Sequence, residues 1–225
     1  MSGFDWNIHL PLRFGTAGTP GLELTRSLSG DASRQDLEAF IHECFHQAYG
    51  ARISHFMPEL FGLSDRNSSL CAVAGVRRAA TGPLFLEHYL DEQIEQLVFA
   101  RAGRPVDREG IVEVGNLAAS NLGSARLSII TVTWLLAMGG FEWVAFTGNS
   151  SLVNSFNRLG LRPVTLCAAD PLRLGDDRHA WGTYYETQPS VHVGDIRAGF
   201  IHLSKMGLFE RFGLPLTLEQ TCNVA

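Results

Sequence analysis

The chain has 225 residues, a hydrophobic share of 45% and a formal net charge of −5, with a pI near 5.9. A chain of this length hides roughly 70% of its unfolded surface in one generous domain, or in one domain with a terminal extension. The acidic balance and the lack of a long basic run argue against nucleic acid as a partner, and no apolar stretch reaches the roughly 18 residues of a membrane span, so no integral membrane segment is expected.

The opening MSGFDWNIHL has no basic segment followed by an apolar one, so a secretory signal is not expected and a cytoplasmic location is. Cys44, Cys71, Cys167 and Cys222 are scattered without CxxC spacing and read as reduced thiols. Trp6 to Phe14 reads as a strand, followed by a Gly/Thr/Ser-rich loop. Ser33-Arg34-Gln35-Asp36 resembles a capping box with Asp in place of Glu. The helix it opens carries Leu37, Phe40, Ile41, Cys44, Phe45 and Ala48 on one face. His55 to Leu63 and Leu70 to Arg77 read as a hairpin around the turn Ser64 to Ser69. After the break at Thr81-Gly82-Pro83 come a short segment, Leu84 to Leu90, and a helix, Ile94 to Arg101.

Ile111 to Ala118 reads as a strand, Asn121 to Ser124 as a loop, and Ala125 to Met138 as a buried helix stopped by Gly139-Gly140. Phe141 to Thr147 is an apolar strand. A helix follows Asn149 and ends at Gly160, and Pro163 to Cys167 is one more strand. An apolar strand, a helix and a second apolar strand imply a locally parallel pair. Residues 168–225 are less regular. The division expected is residues 1–30 as an N-terminal strand and loop, 31–167 as the core, and 168–225 as an extension packed on it.

Two patterns bear on chemistry. His42-Glu43-Cys44-Phe45-His46 spells HExxH, in which two His bind zinc and the Glu activates water. Here the two His lie opposite the apolar face, on the side given to solvent, and no third ligand stands at a suitable spacing. No metal is expected, and a zinc hydrolase is the minor alternative. The second pattern is Ile111-Val112-Glu113-Val114-Gly115-Asn116-Leu117-Ala118. A carboxylate inside such a strand must be paired, for instance with Arg77 or Arg78, or must face a cleft. The loop after it opens a helix whose backbone N–H groups suit an anion. Glu87 and His88 read as a surface turn or as a pair that positions an amine. Asn116 serves a substrate carbonyl or ends the strand. Trp134 and Trp143 read as core. Trp181 and Tyr184-Tyr185 either wall a cleft or pack the extension.

The loop resembles the R/Q-x-x-G-x-G/A loop that holds the pyrophosphate of coenzyme A in the GNAT acyltransferase superfamily. Gly123 and Ala125 match, and Ser120 replaces the Arg or Gln. Arg158-Leu159-Gly160-Leu161 resembles the close of the next GNAT helix, with Phe156 where many members place a Tyr acid. Gly75-Val76-Arg77 and Glu113 resemble paired motifs of acyl-homoserine-lactone synthases, whose Ser-Arg pair is absent here. The runs HFMP (55–58), PLFLEHYLD (83–91), IVEVGNLA (111–118), GFEWVAFT (140–147) and GDIRAG (194–199) resemble the bacterial thermostable hemolysin family across about residues 30–200.

These resemblances imply an α/β fold: a GNAT-like mixed twisted sheet flanked by helices, with a C-terminal extension. They imply an N-acyltransferase with no tightly bound cofactor. Its co-substrate would be an acyl thioester of coenzyme A or of phosphopantetheine on an acyl carrier protein, and its acceptor a small amine. Glu113, Arg77 and Asn116 would be catalytic. Val114, Ala118, Ser120, Gly123, Ser124, Ala125, Arg126 and Asn154 would hold the donor. Ser120 in place of a cation favours the carrier protein, met by a patch of Arg101, Arg104 and Arg108. The family name implies a membrane-active alternative, although the chain shows no segment that reads as a toxin.

Overall fold

The computed structural model describes residue 6, residues 8–18 and residues 21–216. Cys222 and part of the first expected strand lie outside them. The strands are β1 (Leu12–Phe14), β2 (Leu22–Leu28), β3 (Glu59–Asp65), β4 (Leu70–Arg78), β5 (Ile111–Ala119), β6 (Trp143–Gly148), β7 (Val164–Ala168) and β8 (Ser190–Asp195). The helices are α1 (Arg34–Tyr49), α2 (Ile94–Ala102), α3 (Leu122–Met138), α4 (Ser150–Arg158), α5 (Ile196–Lys205) and α6 (Leu208–Phe212). All eight strands form one sheet in the order β1-β2-β3-β4-β5-β6-β8-β7. Among the described residues only β5 and β6 are parallel, joined through α3, as the β-α-β reading anticipated.

One side of the sheet carries α3, α5 and α6 over a core that includes Trp134, Leu135 and Phe209. The other carries α1, α2 and the 3-10 turn of Phe85–Tyr89. α1 buries Leu37 and Ile41, as its apolar stripe requires. Its start differs from expectation: Ser33 has helical backbone angles and no capping bond, and its hydroxyl donates to Ser27 Oγ at 3.3 Å. Gly50 ends the helix at φ 65°, giving its N–H to the His46 carbonyl.

Two strands were not anticipated. β2, expected as loop, pairs with β3 along all seven residues. Its Thr25-Arg26-Ser27 run looks unlike a buried strand, but Arg26 is neutralised by the buried Glu59 at 2.7 Å. β8 lies within residues 168–225 and is inserted between β6 and β7, antiparallel to both. The same segment then leaves the sheet as α5 and α6, a helical extension on the α3 side.

Candidate active site

β5 carries a β-bulge. Val73 faces Ala118 and Gly75 faces Gly115, so two β5 residues, Asn116 and Leu117, stand against Ala74 alone. Asn116 takes φ 48°, a left-handed angle that Asn tolerates. Its side chain holds the bend: Oδ1 accepts from the Met57 N–H at 2.8 Å and Nδ2 donates to the His55 carbonyl at 3.4 Å. The Met57 side chain fills the space beside Gly75 and Gly115, where an added Cβ would come within 2.7 Å and 2.4 Å of it. Pairing of β5 with β6 runs from Ile111–Trp143 to Val114–Phe146 and stops there. Past that point the two parallel strands are no longer bonded to one another.

A cavity of about 870 Å³ occupies the gap and reaches both sides of the sheet. Val114, Ile129, Val132, Leu136, Phe146 and Phe156 line an apolar arm on the α3 side. Phe146 and Phe156 stack there at 4.9 Å. On the α1 side Arg77, Glu113, Phe45, Tyr49, Phe85 and Trp181 wall a chamber rich in rings.

Glu113 lies at the floor of that chamber and is 2% exposed. Arg77 is its direct partner in the β4–β5 register. The carboxylate does not close an ion pair with it. Instead Oε2 accepts the Phe85 N–H at 2.8 Å and Oε1 the Leu86 N–H at 2.9 Å. Burial pushes its pKa up to about 7, against the lowering effect of those two N–H groups and of the Arg77 charge. Arg77 donates from Nη1 to the Pro83 carbonyl at 3.1 Å. Arg78 lies 3.9 Å from Glu59, not at Glu113.

The turn that grips Glu113 is itself built by half-buried charges. Glu87 accepts the N–H of Leu84 at 2.8 Å and of Ile94 at 3.1 Å. Arg108 grips both its oxygens, at 2.8 and 2.7 Å, and reaches Glu95 at 2.6 Å and the carbonyls of Ala79 and Gly82. Burial works against the Glu87 charge, but Arg108 and the two N–H groups outweigh it and hold the carboxyl below its ordinary range. Both oxygens of the half-buried Glu87 are thus engaged by the turn itself. His88 turns its Nδ1 to the Phe85 carbonyl, 2.7 Å away.

Of the expected donor residues, Val114, Ala118 and Ala125 line the cavity. Asn121 caps α3, its Oδ1 accepting the Ser124 N–H at 3.0 Å, which leaves the first N–H groups of the helix pointing outward. Ser120 Oγ lies 3.3 Å from Ser124 Oγ, and Ser120, Gly123 and Arg126 are exposed at this end. Asn154 is exposed on α4 outside the cavity wall, which takes Ser151, Leu152 and Ser155 instead.

Of the basic patch expected of Arg101, Arg104 and Arg108 for a carrier protein, two of the three cations are ion-paired and Arg101 is exposed. Arg108 is consumed in its network, and Arg104 pairs with Glu142 at 2.6 Å. Both flank the start of β5, whereas the loop follows its end, roughly 26 Å along the strand.

From the HExxH run, Cys44 and Phe45 line the cavity. The rings of His42 and His46 stack 6.0 Å apart, with His46 exposed. Among the described residues no group of three metal-ligating side chains forms. Changing both His to Gln is expected to alter stability by no more than about 0.5 kcal/mol and to leave activity unchanged. Thermal melts, metal analysis and activity assays of the double variant check this; bound zinc lost with the two rings would reverse the assignment.

Sequence reasoning left Trp181, Tyr184 and Tyr185 open, and the structure brings all three to the chamber. Tyr89 joins them through a bond between its hydroxyl and that of Tyr185. Burial raises Tyr89 and Tyr184 above the ordinary tyrosine range, so both stay neutral. No helix among the described residues is long and apolar enough to cross a membrane.

The model of the family described as thermostable hemolysin matches residues 28–200. No curated protein matches in sequence. Solved structures do match in fold. FeeM, an N-acyl amino acid synthase from uncultured soil microbes, aligns at TM-score 0.52 and 13% identity over 80% of this chain and 94% of that one. The acyl-homoserine-lactone synthase LasI aligns at 0.54 and 10%, over 87% and 96%. BjaI, a CoA-dependent acyl-homoserine lactone synthase, aligns at 0.51 and 14%, over 84% and 90%. At these identities the likeness is one of fold: a GNAT-like mixed sheet opened between two parallel strands.

Proposed function

This chain belongs to the thermostable hemolysin family, and we propose that it is an N-acyltransferase that moves an acyl group from a phosphopantetheine thioester to a small amine. The observation that carries this reading is the placement of Glu113, buried yet facing the cavity, where β5 and β6 part. Beyond Val114, on the edge that β6 leaves while β4 stays paired on the other, the backbone groups of β5 as far as Ala118 are available to the pantetheine arm. The N-terminus of α3 takes a phosphate of the donor through its outward N–H groups, with Arg126 beside it. The apolar arm takes the acyl group. On α3, Ala125, Ile129, Val132 and Leu136 recur at helical spacing over roughly 16 Å of its wall, enough for a medium to long chain.

The amine nitrogen attacks the thioester carbonyl carbon. Glu113, directly or through one water, takes the proton that nitrogen must lose. Backbone N–H groups beside the bulge stabilise the oxyanion. The C–S bond then breaks, the amide forms, and the proton held on Glu113 returns to the departing thiolate. Asn116 acts through geometry, since its side chain is committed to His55 and Met57. Arg77 meets a carboxylate on the acceptor.

The test is a thiol-release screen of acyl-coenzyme A and acyl-carrier donors against amino-acid acceptors. Release that depends on both partners, with an amide as product, is expected. Arg104 and Arg108 are ion-paired while Arg101 is exposed, so both donor types belong in the screen. Donor-independent leakage of liposomes with no thiol release would instead favour the membrane-active reading.

A further inference from the structure

The chamber on the α1 side has a composition that the proposed chemistry does not need. Proton transfer and carboxylate binding call for Glu113 and Arg77, yet the walls around them are rich in aromatic rings, beside Cys44, Ala48, His55 and Met57. Phe45 and Tyr49 come from α1 and Phe85 from the turn that holds Glu113. Trp181 and Tyr184 come from the connection between β7 and β8. Trp181 is the hub: its ring lies 6.2 Å from Phe45, 5.8 Å from Phe85 and 5.4 Å from Tyr184, in tilted and edge-on contacts.

Trp181 is held in place on both sides by backbone. The Ala180 carbonyl accepts the Arg52 N–H at 2.7 Å, and the Thr183 N–H donates to the Tyr49 carbonyl at 2.9 Å. Between them Gly182 sits at φ 54°, and a Cβ there would lie 2.1 Å from the Tyr49 carbonyl oxygen, so only glycine passes. The connection is thus pinned to the end of α1, with its indole turned to the chamber.

The charge balance is equally narrow. Among the described residues Arg77 is the only Lys or Arg on this side of the cavity wall, and its one side-chain hydrogen bond among them is to the Pro83 carbonyl. The rest of its guanidinium can meet a carboxylate, and two oxygens suit its planar fork. An aliphatic amine without a carboxylate would leave Arg77 with no anion beyond the charge of neighbouring Glu113.

We propose that the acceptor is an aromatic α-amino acid, with its carboxylate on Arg77, its amino group toward Glu113 and its ring among Phe45, Phe85 and Trp181. This rests on the acyltransferase reading above and names the acceptor for it. Ring-on-ring packing favours this class beyond the area it buries. The acid group separates it from arylalkyl amines, and the ring separates it from alanine or serine.

The experiment uses the full chain in two arms. In the first, titration calorimetry without donor compares L-phenylalanine, L-alanine and phenethylamine. In the second, initial rates of thiol release are compared for the same three acceptors. Phenylalanine is expected to bind at least tenfold more tightly than either of the others and to be preferred at least 30-fold over alanine in kcat/KM. Trp181→Leu and, separately, Phe45→Leu are expected to cut that preference at least fivefold, a ratio that a general loss of folded protein would not move. Alanine or phenethylamine bound as well as phenylalanine, or a preference untouched by both variants, would overturn the proposal. Tight binding of phenylalanine with no thiol release from any donor would support the acceptor site and count against the transferase reading alone.

Discussion

Replacing Glu113 by Gln is expected to lower kcat/KM for acyl transfer by roughly 10²- to 10⁴-fold, the usual contribution of a positioned general base. The amide cannot accept a proton, and its NH₂ must face one of the two N–H groups, of Phe85 and Leu86, that the carboxylate now binds. The pH profile is the sharper readout. With its pKa pushed up to about 7 by burial, Glu113 loses its basic form as pH falls through neutrality. The wild-type rate should therefore drop about tenfold per pH unit below that value, and the residual rate of the Gln variant should lack this limb. A variant that keeps the limb would place the base elsewhere.

The same group leaves a mark on stability, with the opposite preference. Its folded pKa is raised from 4.5 to about 7, so between those values the folded state holds a proton that the unfolded state has lost. Its contribution is fully present below about pH 4.5 and is lost as pH rises through about 7, a swing on the order of 3 kcal/mol. Denaturant midpoints of wild type should fall relative to those of the Gln variant across that window. Activity and stability thus pull the carboxyl in opposite directions, as expected of a base kept in a dry site.

Arg108→Ala is expected to cost about 3–5 kcal/mol, or roughly 10 °C in the melting temperature of a chain this size. The change strands two carboxylates, Glu87 and Glu95, and the carbonyls of Ala79 and Gly82. Arg108→Lys should recover little, because one ammonium cannot span the same set of acceptors. Both variants should also slow catalysis without touching substrate, since Glu87 orders the turn whose N–H groups grip Glu113. A melt within 2 °C of wild type would show the network to be dispensable.

The chemistry-bearing center of the fold was legible because it is local. The apolar runs at 111–118 and 141–147 around one buried helix are a pattern with few topologies, and Glu113 was conspicuous as a charge on an apolar background. Its true partners were not. Two backbone N–H groups leave no trace in residue identity, so a salt bridge with Arg77 or Arg78 looked as good. Arg104 and Arg108 read with Arg101 as a free patch because the acids that pair with those two, Glu142 and Glu87 with Glu95, are distant or unmarked in sequence. The bulge at Asn116 was hidden for a like reason: only the observed φ of 48° separates it from a residue that ends a strand. β2 was missed because its charge is cancelled by Glu59, 33 residues away. The aromatic wall was undecidable, since Trp181 meets Phe45 and Phe85 only through the tertiary fold.

The position of β8 has a consequence for how the chain is made. On a ribosome the strands emerge in numerical order, yet among the described residues β7 has no neighbour in the sheet except β8. When residue 168 appears, β6 offers one bare edge and β7 has nowhere to pair. Some 20 further residues must follow before β8 fills the slot and the two edges disappear together. Until then the nascent chain displays Trp143, Ala145 and Val164 along unpaired backbone, the kind of edge that recruits other chains. Fragments cut within residues 169–189 should therefore aggregate instead of folding, even though they contain every residue proposed to touch the thioester.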